Sequence, residues 1–491
     1  MLSIIPVLLL GEMTGPCGTP YIVDSAVRFP RPTNQTVFDT THFRIHYDTT
    51  GSWAVTLAYA RKVAEAAETS WEIEVDYMGF EEPPPDNGAG GDDRYDIHIA
   101  DLTGGVLGYT QPEGAGPDPN QEDYISHVVV DKDLSDNDKK TTVSHEFMHA
   151  CQFSYSGVDG TWFMENCAVW AEEMVYPSIN QYVGYLGGIG PLKTPYYEIT
   201  NGTSLYWYAG VVWALFLMFW QEDTSIIEQC WDLMGVHWGN HTLQDIDSIL
   251  RTQYSDSLED ALANYAEWRW FVSGRWDDWH WSESSMWPVI TTLKTHHSYP
   301  AAGNEATYDI HGPGGADYVV FDSYSGHDSL YFYFDGDDGW LWGVRIIGYR
   351  SGHSNPSDIY QMSVDADGYG ALAVPTSDYD SLILVPYCVN WFNTTPALPF
   401  IYWVDVVGLD ESTASLDLNI TARGRDFTFI LPAAGSVDLR VYDASGRRAF
   451  GQELDMESGE NTFRLPQLST GVYFWEARYA GTRVSGKTVI R

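Results

Sequence analysis

The sequence predicts a multidomain chain, an α+β unit followed by two all-β sandwiches, and three observations carry that prediction. The chain has 491 residues, 15% of them aromatic, which is too long for one ordinary core and rich enough for several. Helical apolar spacing is confined to the part before Pro300, after which short strands alternate with Gly/Asp turns. Charge divides the chain again. The formal net charge is −42, yet residues 421–491 hold ten Lys/Arg against eight Asp/Glu, which puts a boundary near Thr421. The expected units are a leader at 1–24, the α+β unit at 25–299, a β-sandwich at 300–420 and a small Ig-like sandwich at 421–491.

The leader is expected because Met1 to Leu10 has the apolar core of a secretory signal, although the basic residues that normally precede one are missing. The best later apolar run, Gly210 to Trp220, is shorter than the roughly 20 residues a membrane-spanning helix needs, so no transmembrane segment is expected. The acidic field repels nucleic acid and anionic membrane surfaces and suits an exported, monomeric protein. Five cysteines in no CxxC spacing speak against a structural zinc site, and their odd number leaves at least one unpaired within the chain.

In the α+β unit, Phe43–Tyr47 alternates as a strand, Ala54–Glu74 has the spacing of an amphipathic helix, and Tyr95–Ala100 and His127–Asp131 read as further strands. Asp131, Asp133, Asp136 and Asp138 follow as a carboxylate cluster. It reads first as a solvated loop and second as a calcium site, since the glycine of an EF-hand loop is absent. A helix is then expected from Thr141, as its cap, to Phe153. It carries His145-Glu146-Phe147-Met148-His149, an HExxH motif whose two imidazoles project from one face toward one metal ion, with Glu146 beside them. A catalytic zinc takes three protein ligands and leaves a fourth position for water, so the motif is one ligand short. A second helix, Trp162–Tyr176, offers Glu165, sixteen residues past His149, and Glu172 two turns further on the same face.

Trp162-Phe163-Met164-Glu165-Asn166-Cys167-Ala168 fits W-x-x-E-x-x-A and resembles the third-ligand helix of the gluzincin metallopeptidases, the thermolysin-like group. That resemblance implies a zincin-like fold for 25–299, zinc held by His145, His149 and Glu165, and Glu146 as general base of peptide hydrolysis. Because the gap to His149 is shorter than in the best-known members, Glu172 stays open as the alternative ligand or as a residue orienting a ligand histidine. The family also supplies an oxyanion-stabilising Tyr or His. The helix from Leu205 through Trp220 offers Tyr208 first and Tyr206 second, against a background of aromatic packing. His237 and His241, four apart with no Glu between them, read as ordinary polar residues. Cys151 and Cys167, each two residues beyond a proposed ligand, read equally as a disulfide or as two buried thiols.

Beyond Pro300, Tyr318–Phe321, Leu330–Phe334, Gly343–Ile347 and Leu382–Pro386 are expected strands of the first sandwich. The acidic turns Asp335–Asp338 and Asp365–Gly368 are second-choice calcium sites. In the last segment, Val441-Tyr442-Asp443-Ala444-Ser445-Gly446-Arg447, Gly471-Val472-Tyr473-Phe474 and the basic end Lys487–Arg491 resemble the sorting domain of type IX secretion substrates. This implies the type IX machinery as partner and a secreted or surface location in a bacterium. As a whole, His145–Gln152 with Trp162–Glu172, a β-domain and this tail resemble a family of bacterial secreted metalloproteases acting on protein or peptide substrates. The alternative expectation is a surface adhesion protein whose metal is structural.

Overall fold

A computed structural model describes residues 15–25, 28–392, 397–406, 419–431, 434–443, 447–479 and 482–490. Of the expected leader, residues 1–14 lie outside the described residues. The rest is part of the folded unit, ending in helix α1 (Thr19–Ser25).

The first sheet contains β1 (Thr36–Asp39), β2 (Phe43–Tyr47), β3 (Tyr95–Ala100), β4 (Gly108–Ala115) and β5 (Tyr124–Asp131), in the order β1-β2-β3-β5-β4. The three inner strands are parallel and both outer strands antiparallel, so β4 is an edge. Alternation places Ile45, Ile97, Ile99, Val128 and Val130 on one face, all fully buried. They pack against α2 (Leu57–Trp71) and α3 (Asp136–Tyr155), each contributing roughly 1.5–3 kcal/mol.

Helix α3 begins five residues before the expected cap. Ser135, not Thr141, accepts the Asp138 backbone N–H, at 3.2 Å. The polar run that reads as a loop can enter a helix because its charges find partners. Lys139 donates to the Leu134 carbonyl at 2.8 Å and lies 4.2 Å over the Tyr59 ring, while Asp136 pairs with Lys62 and Lys139. Asp131 accepts the Leu102 and Asp133 backbone N–H groups. These carboxylates are engaged one by one and do not gather into a close group of ligand atoms among the described residues. The later acidic turns are engaged likewise, Asp335 with Lys487 and Asp365 with the Asp367 and Tyr369 amides.

Helix α4 (Thr161–Val175) returns along α3, and α5 (Ser204–Ala209), α6 (Val211–Gln221), α7 (Ile226–Val236), α8 (Thr242–Ile249) and α9 (Leu258–Trp268) complete the helical layer. The single helix expected over 205–220 is split at Gly210, whose backbone passes so close to Asn166 that a Cβ would meet Asn166 Nδ2 at 2.4 Å. Asn166 Nδ2 donates to the Trp162 and Trp207 carbonyls at 2.7 and 2.9 Å, tying α5 to α4.

The next unit has two sheets around one core. They comprise β6 (Lys294–His296), β7 (Ala301–Ile310), β8 (Val319–Phe321), β9 (Ser329–Gly336), β10 (Trp342–Tyr349), β11 (Asp358–Met362), β12 (Tyr369–Pro375), β13 (Ser381–Cys388) and β14 (Leu398–Asp405), ordered β11-β10-β13-β8-β6 and β12-β9-β14-β7. Strand β6 precedes residue 300, so the sheet starts earlier than the composition change. Phe321, Val344 and Leu384 face the second sheet, where Phe321 meets Phe332 of β9, whereas Ile347, Ile383, Val385 and Tyr387 belong to the core of the helical layer. Strand β13 is thus covered on both faces, which explains its unbroken apolar run. Arg269, fully buried, donates to the Gly314, Pro191 and Pro195 carbonyls across that junction.

The last unit also has two sheets, β15 (Asn419–Arg423), β16 (Asp426–Leu431) and β19 (Gly459–Arg464) in one, β17 (Gly435–Asp443), β18 (Arg448–Met456), β20 (Gly471–Tyr479) and β21 (Thr482–Ile490) in the other. Its separate core includes Phe427, Val437, Leu439 and Trp475. The protein is therefore multidomain, with many β-sheets and a helical layer confined to its first part. Among the described residues no helix is long and apolar enough to cross a membrane.

Candidate metal centre

Helix α3 is buried nearly all round, yet it carries Ser144, His145, Glu146, His149 and Gln152 into the interior. Buried polar groups must be paired, and tracing their partners builds the site. Gln152 Nε2 donates to the Met164 carbonyl at 3.0 Å, which turns its Oε1 toward His149 Nδ1, 2.8 Å away. His149 therefore carries its proton on Nδ1 and presents a lone pair at Nε2. His145 is held the same way, its Nδ1 2.8 Å from Glu172 Oε1. Both Nε2 atoms converge on Glu165 of α4, at 2.8 Å from Oε1 for His149 and 3.4 Å from Oε2 for His145.

Cys17 completes the group, with Sγ 3.6 Å from His149 Nε2. One donor atom each from Cys17, His145, His149 and Glu165 lies within 4.8 Å of every other, and all four residues are buried. Among the described residues no other set of three or more His, Cys, Asp or Glu gathers this closely.

The donor set fits zinc. His145 Nε2 and both Glu165 carboxylate oxygens are buried without a hydrogen-bond partner, and imidazole lone pairs facing a carboxylate with no proton between them repel unless a cation joins them. Ligands about 2.0–2.3 Å from a tetrahedral ion stand about 3.3–3.8 Å apart, close to the separations at His145 and Cys17. Electrostatics agree. Burial alone would raise the Glu165 carboxyl, and positive charge on His149 and His145 beside it pulls it down to about 2, so the carboxylate is anionic when positive charge sits against it, carried by the imidazoles or by a cation between them. Burial pushes the Glu172 carboxyl up, against the pull of its hydrogen bond to His145.

Glu146, one residue from His145, lies beside the group and is gripped by two hydroxyls. Thr19 Oγ1 and Thr110 Oγ1 each donate to its Oε2 at 2.9 Å. Gly108 lets edge strand β4 approach this closely, since a Cβ there would meet Thr142 Cγ2 at 2.8 Å and Glu146 Cγ at 2.9 Å. The Tyr208 hydroxyl accepts the Cys17 backbone N–H at 3.2 Å, and its ring lies 6.1 Å from that of His145. Tyr206, the second candidate, points away and donates to the Tyr197 carbonyl at 3.4 Å.

His145, Glu146, His149, Glu165 and Tyr208 are thus brought together, and Glu172 sits behind His145 instead of in the ligand group. Cys151 and Cys167 are free and buried, and the helix geometry says why. A residue two positions past a ligand is rotated by about 200° around an α-helix, so each thiol points away from the metal group. His237 pairs with Asp245 at 2.6 Å, remote from the centre. Cys17, Thr19, Thr110 and Gln152 were not singled out from sequence. The only signal for Cys17 is its place in Gly15-Pro16-Cys17-Gly18, a turn-forming setting.

No protein-family model and no curated sequence matches the chain. Among solved structures it is similar to the BSP domain of a biofilm-associated protein, with 10% identity and a TM-score of 0.15 over 47% of this chain and 55% of that one. A GH2 β-galacturonidase from Eisenbergiella tayi bound to glycerol gives 12% identity and 0.15 over 36% and 35% of the two chains. The CBM51-2 and INT domains of Clostridium perfringens ZmpB give 10% and 0.13 over 40% and 81%. The chain thus spans about half or less of the first two. No family assignment follows, since likeness this slight carries neither fold nor function.

Proposed function

We propose that the chain is an exported zinc-dependent peptidase of gluzincin type, with a zincin-like first unit and with His145, His149 and Glu165 as ligands. One observation carries the reading: two imidazole nitrogens and a carboxylate converge, with His145 Nε2 and both Glu165 oxygens lacking a hydrogen-bond partner among the described residues, beside a positioned Glu146. Zinc bound there supplies a Lewis acid that polarises water and the scissile carbonyl. The remaining work falls to side chains. Glu146 receives the water's proton on its carboxylate and passes it to the leaving amine, while Thr110 keeps that carboxylate aimed. The Tyr208 hydroxyl donates to the oxygen that becomes negative. Glu172 and Gln152 fix the two imidazoles, and edge strand β4 offers backbone groups on which an extended peptide can pair.

Purified protein assayed for zinc content and for chelator-sensitive cleavage of a casein-like substrate tests the reading. A zinc-loaded chain that cleaves no member of a peptide library, even after removal of residues 1–27, would refute it.

A second reading, an adhesion protein with a structural metal, is favoured by the fourth donor, because structural zinc sites are closed by four protein ligands whereas catalytic ones keep a position open. Glu146 favours the peptidase, since a structural site needs no base. For the tail, the β17–β18 pair and strands β20 and β21 carry the segments that resemble the type IX sorting domain. A secreted or surface location is accordingly part of the proposal, tested by whether a chain lacking residues 421–491 is retained in the cell.

A further inference from the structure

We propose that Cys17 is the fourth ligand of the zinc site and that the segment from Gly15 to Ser25 holds the chain latent by occupying its substrate cleft. This rests on the zinc reading and adds a regulation to it. The thiol does not stand alone: it lies in one group with His145 Nε2 and the Glu165 oxygens, buried polar atoms with no hydrogen-bond partner among the described residues.

The segment engages each catalytic group in turn. Cys17 Sγ fills the corner of the ligand group that a catalytic site leaves to water. Thr19 Oγ1 donates to Glu146 Oε2 at 2.9 Å and accepts the Thr110 backbone N–H at 2.8 Å. The Cys17 backbone N–H donates to the Tyr208 hydroxyl, and Gly15 passes so near that ring that a Cβ would meet its oxygen at 3.1 Å.

The edge of β4 is taken as well. The Leu107 N–H donates to the Pro16 carbonyl at 2.7 Å and the Gly18 N–H to the Gly108 carbonyl at 2.9 Å, in a parallel bridge between Cys17 and Gly108. An exposed sheet edge is where an extended peptide adds as a further strand. Residues 15–19 therefore sit where a substrate backbone and its scissile carbonyl have to lie. What remains open is a gap of about 10 Å³, walled partly by Pro16 and Cys17 themselves. Ile22, fully buried among Ala100, Val106, Tyr109 and Val129, pins the segment from its far end.

Zinc loading releases the thiol proton to solvent, because the ligand is the thiolate. Proteolytic removal of the segment then frees the fourth position, Glu146, Tyr208 and the β4 edge together.

The test uses the full chain with cobalt(II) in place of zinc. The wild type is expected to bind one cobalt per chain and to show a near-ultraviolet thiolate-to-cobalt charge-transfer band. Cys17→Ser keeps one cobalt, loses the band and, loaded with zinc, cleaves peptide at least about tenfold faster, the gain when a state populated at a tenth becomes dominant. One cobalt per chain without the band overturns the inference and leaves the zinc reading standing. No metal bound by the wild type overturns both. If Cys17→Ser does not fold, alkylation of the wild type decides. Cys17 is 8% exposed and the other four cysteines are fully covered, so iodoacetamide is expected to mark Cys17 at least about tenfold more slowly with zinc than without. An unchanged rate overturns the proposal.

Discussion

Glu172 Oε1 stands 2.8 Å from His145 Nδ1, and this contact sets which nitrogen of His145 faces the metal group. Seven residues separate Glu172 from Glu165, two helical turns, so one face of α4 provides both a proposed ligand and the group that orients a second proposed ligand. Glu172→Ala is expected to lower zinc affinity roughly 10–100-fold, as loss of such a partner typically does, while the fold persists. Competition against a chromophoric chelator measures it, and an affinity equal to wild type would remove Glu172 from this role.

Glu146→Gln keeps the side-chain shape and removes the proposed base. In the Cys17→Ser background it is expected to bind zinc as its parent does and to lose on the order of 10²–10⁴ in kcat. Turnover at the parent rate would mean that another group takes the proton.

Tyr208→Phe and Tyr206→Phe separate the two tyrosines. Only the Tyr208 hydroxyl reaches the centre, so its removal in the same background is expected to cost on the order of 10²–10³ in kcat with KM little changed. Tyr206→Phe, which loses a hydrogen bond to the Tyr197 carbonyl, should leave kcat near its starting value. The reverse order would reassign the oxyanion partner.

Stability is expected to fall as pH rises from 5 to 8. Burial, with Glu283 and Glu172 nearby, raises the Glu173 carboxyl from 4.5 to about 8, and burial raises Asp159 from 3.8 to about 6. Between the lower and the upper value the folded chain binds more protons than the unfolded one, so rising pH favours unfolding. In the other direction, Glu113 resists burial through its bonds to Arg31 and His127 and sits at about 2. Its contribution is lost as pH falls from 4.5 toward 2. Glu173→Gln should therefore raise Tm at pH 8 and hardly at all at pH 4.5. Equal gains at both pH values would show that Glu173 is ionised in the folded state.

Much of the first unit was legible in sequence because its signals are local. The HExxH helix and the strands at 43–47 and 95–100 follow from spacing within one or two elements, and Glu165 was singled out by the resemblance of its helix to the gluzincin third-ligand helix. Where Ser135 replaced Thr141 as cap, the deciding fact was tertiary, the burial of Lys139 against Tyr59. Cys17 was out of reach for a similar reason. It meets His149 across 132 positions, no spacing rule links them, and only the β4 edge brings the segment back. The thiol pairing weighed for Cys151 and Cys167 lacked the one consideration that decides it, the rotation per residue around each helix.

Strands β10 and β13 have almost no face of their own to give to solvent, because helices cover one side and the partner sheet the other. Cutting the chain near residue 300 would strip the helical layer of Ile347, Ile383, Val385 and Tyr387. Melting should accordingly be seen by calorimetry as two cooperative blocks, one spanning both earlier units and one for the tail with its private core. A minimal fragment that keeps the candidate metal centre folded would have to extend to about residue 406.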